Sequence, residues 1–534
     1  MKRRTTALLL SAILWMGGCA ASEPVGEGAD AADGGPPDGG SDAGGDDSGD
    51  VRAPDGASEL DGTTAGDALE DTTQDDGQGD DTTDATDATD ATDTTDTTGT
   101  ADATDTTDAT TDASPPGDTG AGEDPWKEAF DHVFPQDHVV ALKLDFPDGG
   151  WLKLLTTWQQ SQLKVEYPAA FGFDDESLDV IGVRLKGLNS LNVPAEGPIP
   201  LGGKYPLKMD FNTFGGPRFH EVDEVNLSIN VSDPSLMRER LAERMYEAMG
   251  VPASRSAYAG VTIDGSYVGL YTMVQVIDKR YLKERFGTAG HADDGNLYKC
   301  LHNSQDICSL QWRGPSKEDY IQTEGCAAGY AICGLLLKTN EDDPALNDYG
   351  DVIALMDVLA HTPDEAFPAA IEAIFDVDSF LRLTAVAMII GNWDSYFGKG
   401  HNYYLYHRPD TGKLMMLPWD LDLTYEGPLC SQDPTKPDCW GPGARPLVQR
   451  ILAVPAYQAQ YVAYLKEAVD EHFTVEAHAA WIGELDGLIG TLVGGDPNIQ
   501  DKGAYGAAIA PDGAGGSNLI EFIELRRKEL SSWL

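Results

Sequence analysis

Two carboxylates two residues apart, Asp420 and Asp422, stand in the run Pro418-Trp419-Asp420-Leu421-Asp422-Leu423-Thr424. At the end of a strand such a pair can converge on a hard cation such as Mg2+, which takes oxygen ligands. Upstream, Gly391-Asn392-Trp393-Asp394 closes an apolar run, and His401-Asn402 follows. Asp394, His401-Asn402 and the Asp pair lie on adjacent elements and could share one cleft. A lone Asp-x-Asp is common at surface turns; the preceding Pro-Trp and the upstream Asn-x-Asp make this one more specific. A third group is basic: Val183-Arg184-Leu185-Lys186-Gly187-Leu188-Asn189-Ser190, followed by Tyr205-Pro206-Leu207-Lys208-Met209-Asp210-Phe211. Strand alternation puts Leu207 and Met209 on one face and Lys208 on the other. A Lys turned inward needs an anion. A phosphate would serve, and so would a structural carboxylate. Neither Gly-x-Ser-x-Gly nor His-Glu-x-x-His occurs, so the hydrolase chemistry those motifs support has no foothold.

The elements that must hold these residues are legible from period and punctuation. His138 to Phe146 alternates and predicts a strand, as do Val180 to Lys186 and Tyr205 to Phe211. Trp151 to Trp158 predicts a short helix. Asp233 with Pro234 reads as an N-cap and first helical residue, with a helix running to Met249 and stopping at Gly250. Tyr258 to Ile263 and Tyr267 to Val276 predict a hairpin about Asp264-Gly265, and Asp278 to Phe286 a helix. Asp376 to Ile390 is a strongly apolar helix. His401 to His407 and Lys413 to Leu417 form a second hairpin around Asp410-Thr411-Gly412. Helices dominate at roughly 445–492 and 517–533. Strands first and helices later predict an α+β class. Residues 291–350, rich in Cys, Gly and Asp, read as an insertion.

The N-terminus carries signals of another kind. Lys2, Arg3 and Arg4 precede a short apolar run, Ala7 to Trp15, too short to span a bilayer. Met16-Gly17-Gly18-Cys19 resembles a lipobox. Residues 1–18 are therefore expected to be a lipoprotein signal peptide and Cys19 the lipidated residue, a membrane anchor. Ala20 after it leans towards the outer membrane or cell surface. Residues 19–125 are mainly Asp, Thr, Gly and Ala, with Thr-Asp-Ala and Thr-Asp-Thr triplets recurring from Thr83 to Asp112. So little apolar surface cannot offset chain entropy, which predicts a disordered tether before a domain at 126–534. More than half of the net charge of −52 lies in that stretch. The remainder is still acidic, without a basic stripe, which argues against nucleic-acid binding. Beyond Cys19 six cysteines remain: Cys300, Cys308, Cys326, Cys333, Cys430 and Cys439. An even count without Cys-x-x-Cys predicts disulfides in an exported chain. Cys430–Cys439 is expected to close one loop, while the pairing of the other four stays open.

The ordered set Arg-x-Lys-Gly-x-x-Ser, Leu-Lys-x-x-Phe, Gly265-Ser266-Tyr267-Val268-Gly269-Leu270-Tyr271, Gly-Asn-x-Asp, His-Asn-Tyr-Tyr-Leu-Tyr and Pro-Trp-Asp-x-Asp resembles the CotH family of atypical protein kinases. The last two motifs are the most telling, and the resemblance covers most of 138–534. It implies a bilobal kinase-like fold using ATP and Mg2+ to phosphorylate Ser or Thr of a protein substrate. Carried across, Lys208 contacts the nucleotide phosphates and Asp394 is the catalytic carboxylate. Asn402 is a supporting ligand, Asp420 or Asp422 holds Mg2+, and Trp419 either stacks near adenine or belongs to the core. Where the family commonly has a Glu after the hairpin, able to pair with the nucleotide Lys, this chain has Gln275. An amide can hydrogen-bond a Lys but brings no charge to it. The alternative on the same fold is a surface binding or adhesion lipoprotein of little or no activity.

Overall fold

The computed structural model describes residues 125–534 apart from 188–189, 302–305, 328, 428, 430–432, 438–443 and 513–516. The expectations for the signal peptide, Cys19 and the tether up to residue 124, and for Cys430–Cys439, lie outside the described residues. Seven strands close a barrel: β1 (Val140–Asp145), β2 (Tyr167–Phe173), β3 (Glu176–Leu185), β4 (Leu207–Asp210), β5 (Glu224–Ser228), β6 (Ser256–Ile263) and β7 (Ser266–Gln275). Their order is β1-β2-β3-β4-β5-β7-β6, sealed by parallel pairing of β1 with β6. Helix α1 (Pro125–Val133) precedes β1, α2 (Gly150–Ser161) and α3 (Arg238–Ala248) run between strands, and α4 (Lys279–Phe286) follows β7.

Alternation builds the barrel. In β1 Val140, Leu142 and Leu144 are buried and the residues between them exposed. The inward residues join Phe171, Val183, Met209, Val225 and Val261 in one core. The β6–β7 turn uses Asp264 and Gly265, both at positive φ (48° and 75°), the conformation that matches strand twist in a two-residue turn. Along β4 and most of β5 and β7 the alternation disappears and every residue is buried. There the barrel's outer face is covered too. The covered residues include Arg184, Lys208, Asn226 and Ser228, all buried and polar. Burying such groups is costly unless they find partners, so this face is where a polar site is to be sought.

The second sheet holds β8 (Leu297–Leu301), β9 (Ile321–Gln322), β10 (Cys333–Leu337), β11 (Tyr403–Arg408) and β12 (Lys413–Pro418), in the order β12-β11-β8-β10-β9. The Cys-rich 291–350 segment supplies three of these strands. It carries disulfides Cys300–Cys308 and Cys326–Cys333, which settles the pairing left open by the spacing. Helices α5 (Gly350–His361), α6 (Phe367–Ile374), α7 (Val377–Ile390), α8 (Pro446–Ala453), α9 (Pro455–Glu467), α10 (Val475–Val493), α11 (Lys502–Ile509) and α12 (Leu519–Ser531) complete an α+β fold. Helix α7 is its axis. Asp376 caps it by accepting from the Ser379 N–H, and 11 of its 14 residues are buried. A helix apolar on all sides belongs inside a core. A Cβ on Gly391, at φ 69°, would meet the Gly427 carbonyl oxygen at 1.9 Å. Only glycine ends α7 there, and the candidate site begins at that residue.

One expected boundary is corrected. The helix expected from Asp233 starts at Arg238. Asp233 does accept from the Arg238 N–H at 2.8 Å, but also from the Ser235 N–H and hydroxyl. It organises a turn before the helix rather than its first residue. Local capping competed with the 233–236 turn, and the buried turn won.

Candidate active site

The loop after α7 and the open end of the β11–β12 hairpin meet. Tyr403 pairs with Pro418, so Asn402 and Trp419 leave the hairpin side by side. Asn402, at φ 55°, donates from Nδ2 to the Asp394 carbonyl at 2.7 Å and to its Oδ2 at 3.1 Å. His401 Nε2 lies 2.8 Å from Asp394 Oδ1. Asp394 is thus held at both carboxylate oxygens and at its backbone, yet its side chain stays about one-fifth exposed. A carboxylate fixed by two neighbours and still open to solvent is fitted to receive a proton from a docked group.

Asp420 takes φ 57° and Tyr425 φ 55°, sparsely populated values that persist only where surroundings impose them. Tyr425 N–H binds the Ile390 carbonyl at 2.8 Å and ties this segment to the end of α7. Burial pushes the Asp422 carboxyl up to about 7, and the negative charges of Asp420, Asp233 and Asp394 act in the same sense, opposed by Lys186. Glu239 on α3 is pushed well above the usual carboxylate range by burial, then by Glu243, Asp422 and Asp420, again opposed by Lys186. Its Oε2 is buried without a hydrogen-bond partner. Carboxylates from α3, the α7 loop and the β12 exit therefore act on one another, and Lys186 is the positive charge that opposes them at Glu239 and Asp422. Such a cluster is unfavourable until a cation enters.

Lys186 and Glu239 are the residues that sequence reasoning missed. A signal for Lys186 existed, because it stands two residues beyond Arg184 and so on the same side of β3. Glu239 gave none beyond its spacing of four from Glu243. Lys208 is placed elsewhere on that outer face. It pairs across the sheet with Arg184 on one side and Asn226 on the other, and its Nζ lies 2.6 Å from Glu224 Oε1. The structural carboxylate, one of the two partners its pattern allowed, is present.

Gln275 requires a correction. The resemblance puts it opposite Lys208, but Gln275 is in register with Val225, Met209 and Val183, whereas Lys208 is in register with Asn226 and Val274. Residues in register share a face, so the two side chains leave opposite faces of the sheet. Gln275 is buried, its Oε1 accepts from the Arg255 N–H at 3.0 Å, and its Nε2 has no partner. Gln275→Glu is therefore expected to lower stability by about 2 kcal/mol and to add nothing to nucleotide affinity. Chemical denaturation of both proteins checks it, and an unchanged or raised midpoint would contradict the placement. Trp419 is half-buried. It packs edge-on against Tyr404 at 5.6 Å beside an apolar cluster containing Tyr281 and Leu417, with Lys299 Nζ 5.7 Å from its ring.

A family model described as CotH kinase protein matches residues 202–530. The chain belongs to the CotH kinase family. Among curated CotH relatives it is 25% identical to the inner spore coat protein H of Bacillus subtilis over 264 residues, 49% of this chain and 66% of that protein. It is 27% identical to the invasin CotH2 of Rhizopus delemar over 198 residues, 36% of this chain and 30% of that protein. The matches thus span less than two thirds of these CotH relatives. The matched region holds Lys208, Glu239, Asp394, Asn402, Asp420 and Asp422, while Lys186 precedes it.

Proposed function

We propose that this CotH family member is an atypical protein kinase with a bilobal kinase-like arrangement, transferring phosphate from ATP to Ser or Thr of a protein outside the cytoplasm. The observation that carries the reading is the mutual electrostatic influence of Glu239, Asp420 and Asp422, opposed by Lys186, with Asp394 acting on Asp422. The donor set fits Mg2+: all are hard oxygens, and the buried Glu239 Oε2 lacks a partner. Asp420, Asp422 and Glu239 would hold the metal, with Asn402 steadying the loop beside them. Bound there, Mg2+ supplies neutralisation of phosphate charge. Lys186 offers its ammonium to the phosphates, and Lys208, held by Glu224, adds positive charge to the same face. Asp394, fixed by His401 and Asn402, orients the acceptor hydroxyl and takes its proton at a carboxylate oxygen. Positioning and charge neutralisation are most of what phosphoryl transfer asks of a protein.

Export is supported by the lipobox-like Met16-Gly17-Gly18-Cys19 and by relatives whose names are spore coat protein and invasin. No described helix is long and apolar enough to cross a membrane, so Cys19 is the proposed anchor. The invasin names also support a second reading, a surface binding protein on the same fold. One preparation separates the two. The full chain carrying Cys19→Ser is expected in the soluble fraction after a carbonate wash. Millimolar Mg2+-ATP is expected to raise its melting temperature by several degrees, with Lys186→Met cancelling the rise. A chain that stays with the membrane removes the anchor. A melting temperature indifferent to Mg2+-ATP removes the kinase and leaves the binding protein.

A further inference from the structure

On the barrel, outside the acidic site, three side chains from separate segments converge: His132 in the last turn of α1, Glu176 at the start of β3, and His220 in the turn between β4 and β5. His132 Nε2 lies 2.6 Å from Glu176 Oε1, and His220 Nε2 lies 2.8 Å from Glu176 Oε2. All three ligand atoms fall within 4.8 Å of one another. Among the described residues this is the one group of three His, Cys, Asp or Glu side chains so closely gathered.

We propose that His132, Glu176 and His220 bind a divalent first-row transition metal of the Zn2+ class. The two imidazoles are 4.1 Å apart between ring centres and both point Nε2 at one carboxylate. Hydrogen bonding alone would require a proton on each of those nitrogens. A dication bound at both Nε2 atoms and at the carboxylate takes the place of the two Nε2 protons, each imidazole then carrying its proton on Nδ1, and satisfies all three groups. Tetrahedral bonds of about 2.0–2.1 Å need ligand atoms about 3.3 Å apart, a separation reached by side-chain movements of about 1 Å. Two nitrogens and one oxygen suit Zn2+ and its neighbours rather than Mg2+ or Ca2+.

The surroundings hold the rings in place. His132 lies against Phe173 at 5.9 Å, and His220 against Phe219 at 4.7 Å, both phenylalanines being buried. His220 and Glu221 take φ 46° and 64° in a two-residue turn closed by pairing of Phe219 with Val222. Turn chemistry favours Asn or Gly at such positions. A histidine kept there has a use that outweighs the strain. The consequence is mechanical. The metal ties α1, the first described element after the acidic N-terminal stretch, to the barrel at two points.

The test uses metal-stripped full chain and Co2+ as the probe, because low-coordinate Co2+ with nitrogen ligands absorbs visible light far more strongly than Co2+ held by carboxylates and water. This separates the site from the Asp-rich N-terminal stretch and the acidic active site. One equivalent of Co2+ is expected to give an intense visible band that Zn2+ abolishes. His220→Asn retains a residue suited to the turn, and His132→Gln one suited to the helix. Each is expected to lose the band and to weaken Zn2+ binding at least tenfold, with circular dichroism unchanged. A wild-type spectrum showing only the weak band of oxygen-bound Co2+, or an intense band persisting in both variants, overturns the site.

Discussion

Asp394→Asn is expected to lower phosphoryl transfer by about 10²–10⁴-fold, the range associated with a lost proton acceptor, while costing at most about 1 kcal/mol of stability. The expectation rests on how the carboxylate is held. Its Oδ1 meets His401 Nε2 and its Oδ2 meets Asn402 Nδ2. An asparagine has the same shape and keeps an oxygen for one of these neighbours. The other must accept an amide N–H, which imidazole can do in its second tautomer. What the variant cannot do is take a proton from an acceptor hydroxyl. The measurement is turnover with Mg2+-ATP and a Ser/Thr protein acceptor, beside a denaturation curve. Wild-type turnover would remove Asp394 from the mechanism, and a collapsed denaturation midpoint would make it structural.

Asp422→Asn is expected to do something less usual: abolish transfer and stabilise the metal-free protein. The Asp422 carboxyl, pushed up to about 7 by burial and then by Asp420, lies above its ordinary value. The folded state therefore binds this proton more tightly than the unfolded chain. That contribution to stability is fully present below about pH 4 and is lost as pH rises through 7. By pH 8 the ionised carboxylate is a liability that asparagine removes, for a gain on the order of 2 kcal/mol. Mg2+ is expected to reverse the ranking by stabilising wild type and not the variant. Melting temperatures of both proteins at pH 5 and pH 8, with and without Mg2+, check the whole pattern. A variant less stable than wild type at pH 8 without Mg2+, or one with an undiminished Mg2+ response, would contradict it.

Such a trade of stability for function is common where like charges are gathered for chemistry. It also explains why the neighbourhood is so constrained. Gly391 cannot carry a side chain, and Asn402, Asp420 and Tyr425 all take positive φ. Helix α7 supplies the rigid base, and Tyr425 ties the β12 exit to it.

The part of the site contributed by residues 391–425 is legible in the amino-acid order alone. The strongly apolar run from 376 to 390 predicts α7, Asp410-Thr411-Gly412 predicts the β11–β12 hairpin, and a hairpin brings its own two ends together. Asn402 and Asp420 must then be neighbours, and Asp394 lies within one loop of them. The Asp264-Gly265 turn is legible for the same reason: it is decided by hydrogen bonds over a few residues. The identity of the lysine and of the third carboxylate is not. Lys186 and Glu239 reach the cluster from elements about 200 residues upstream, and no local periodicity encodes which strand end faces which helix. Register decided the rest. The rows Arg184-Lys208-Asn226 and Val183-Met209-Val225-Gln275 leave opposite faces of one sheet. A one-residue shift in any of those pairings would exchange the faces. Residues 291–350 joined the second sheet for a comparable reason. Their short apolar runs, Leu297–Leu301 and Cys333–Leu337, are too brief to declare a strand alone. They become strands when the edge of β11 offers its unpaired backbone groups and the helical core covers them.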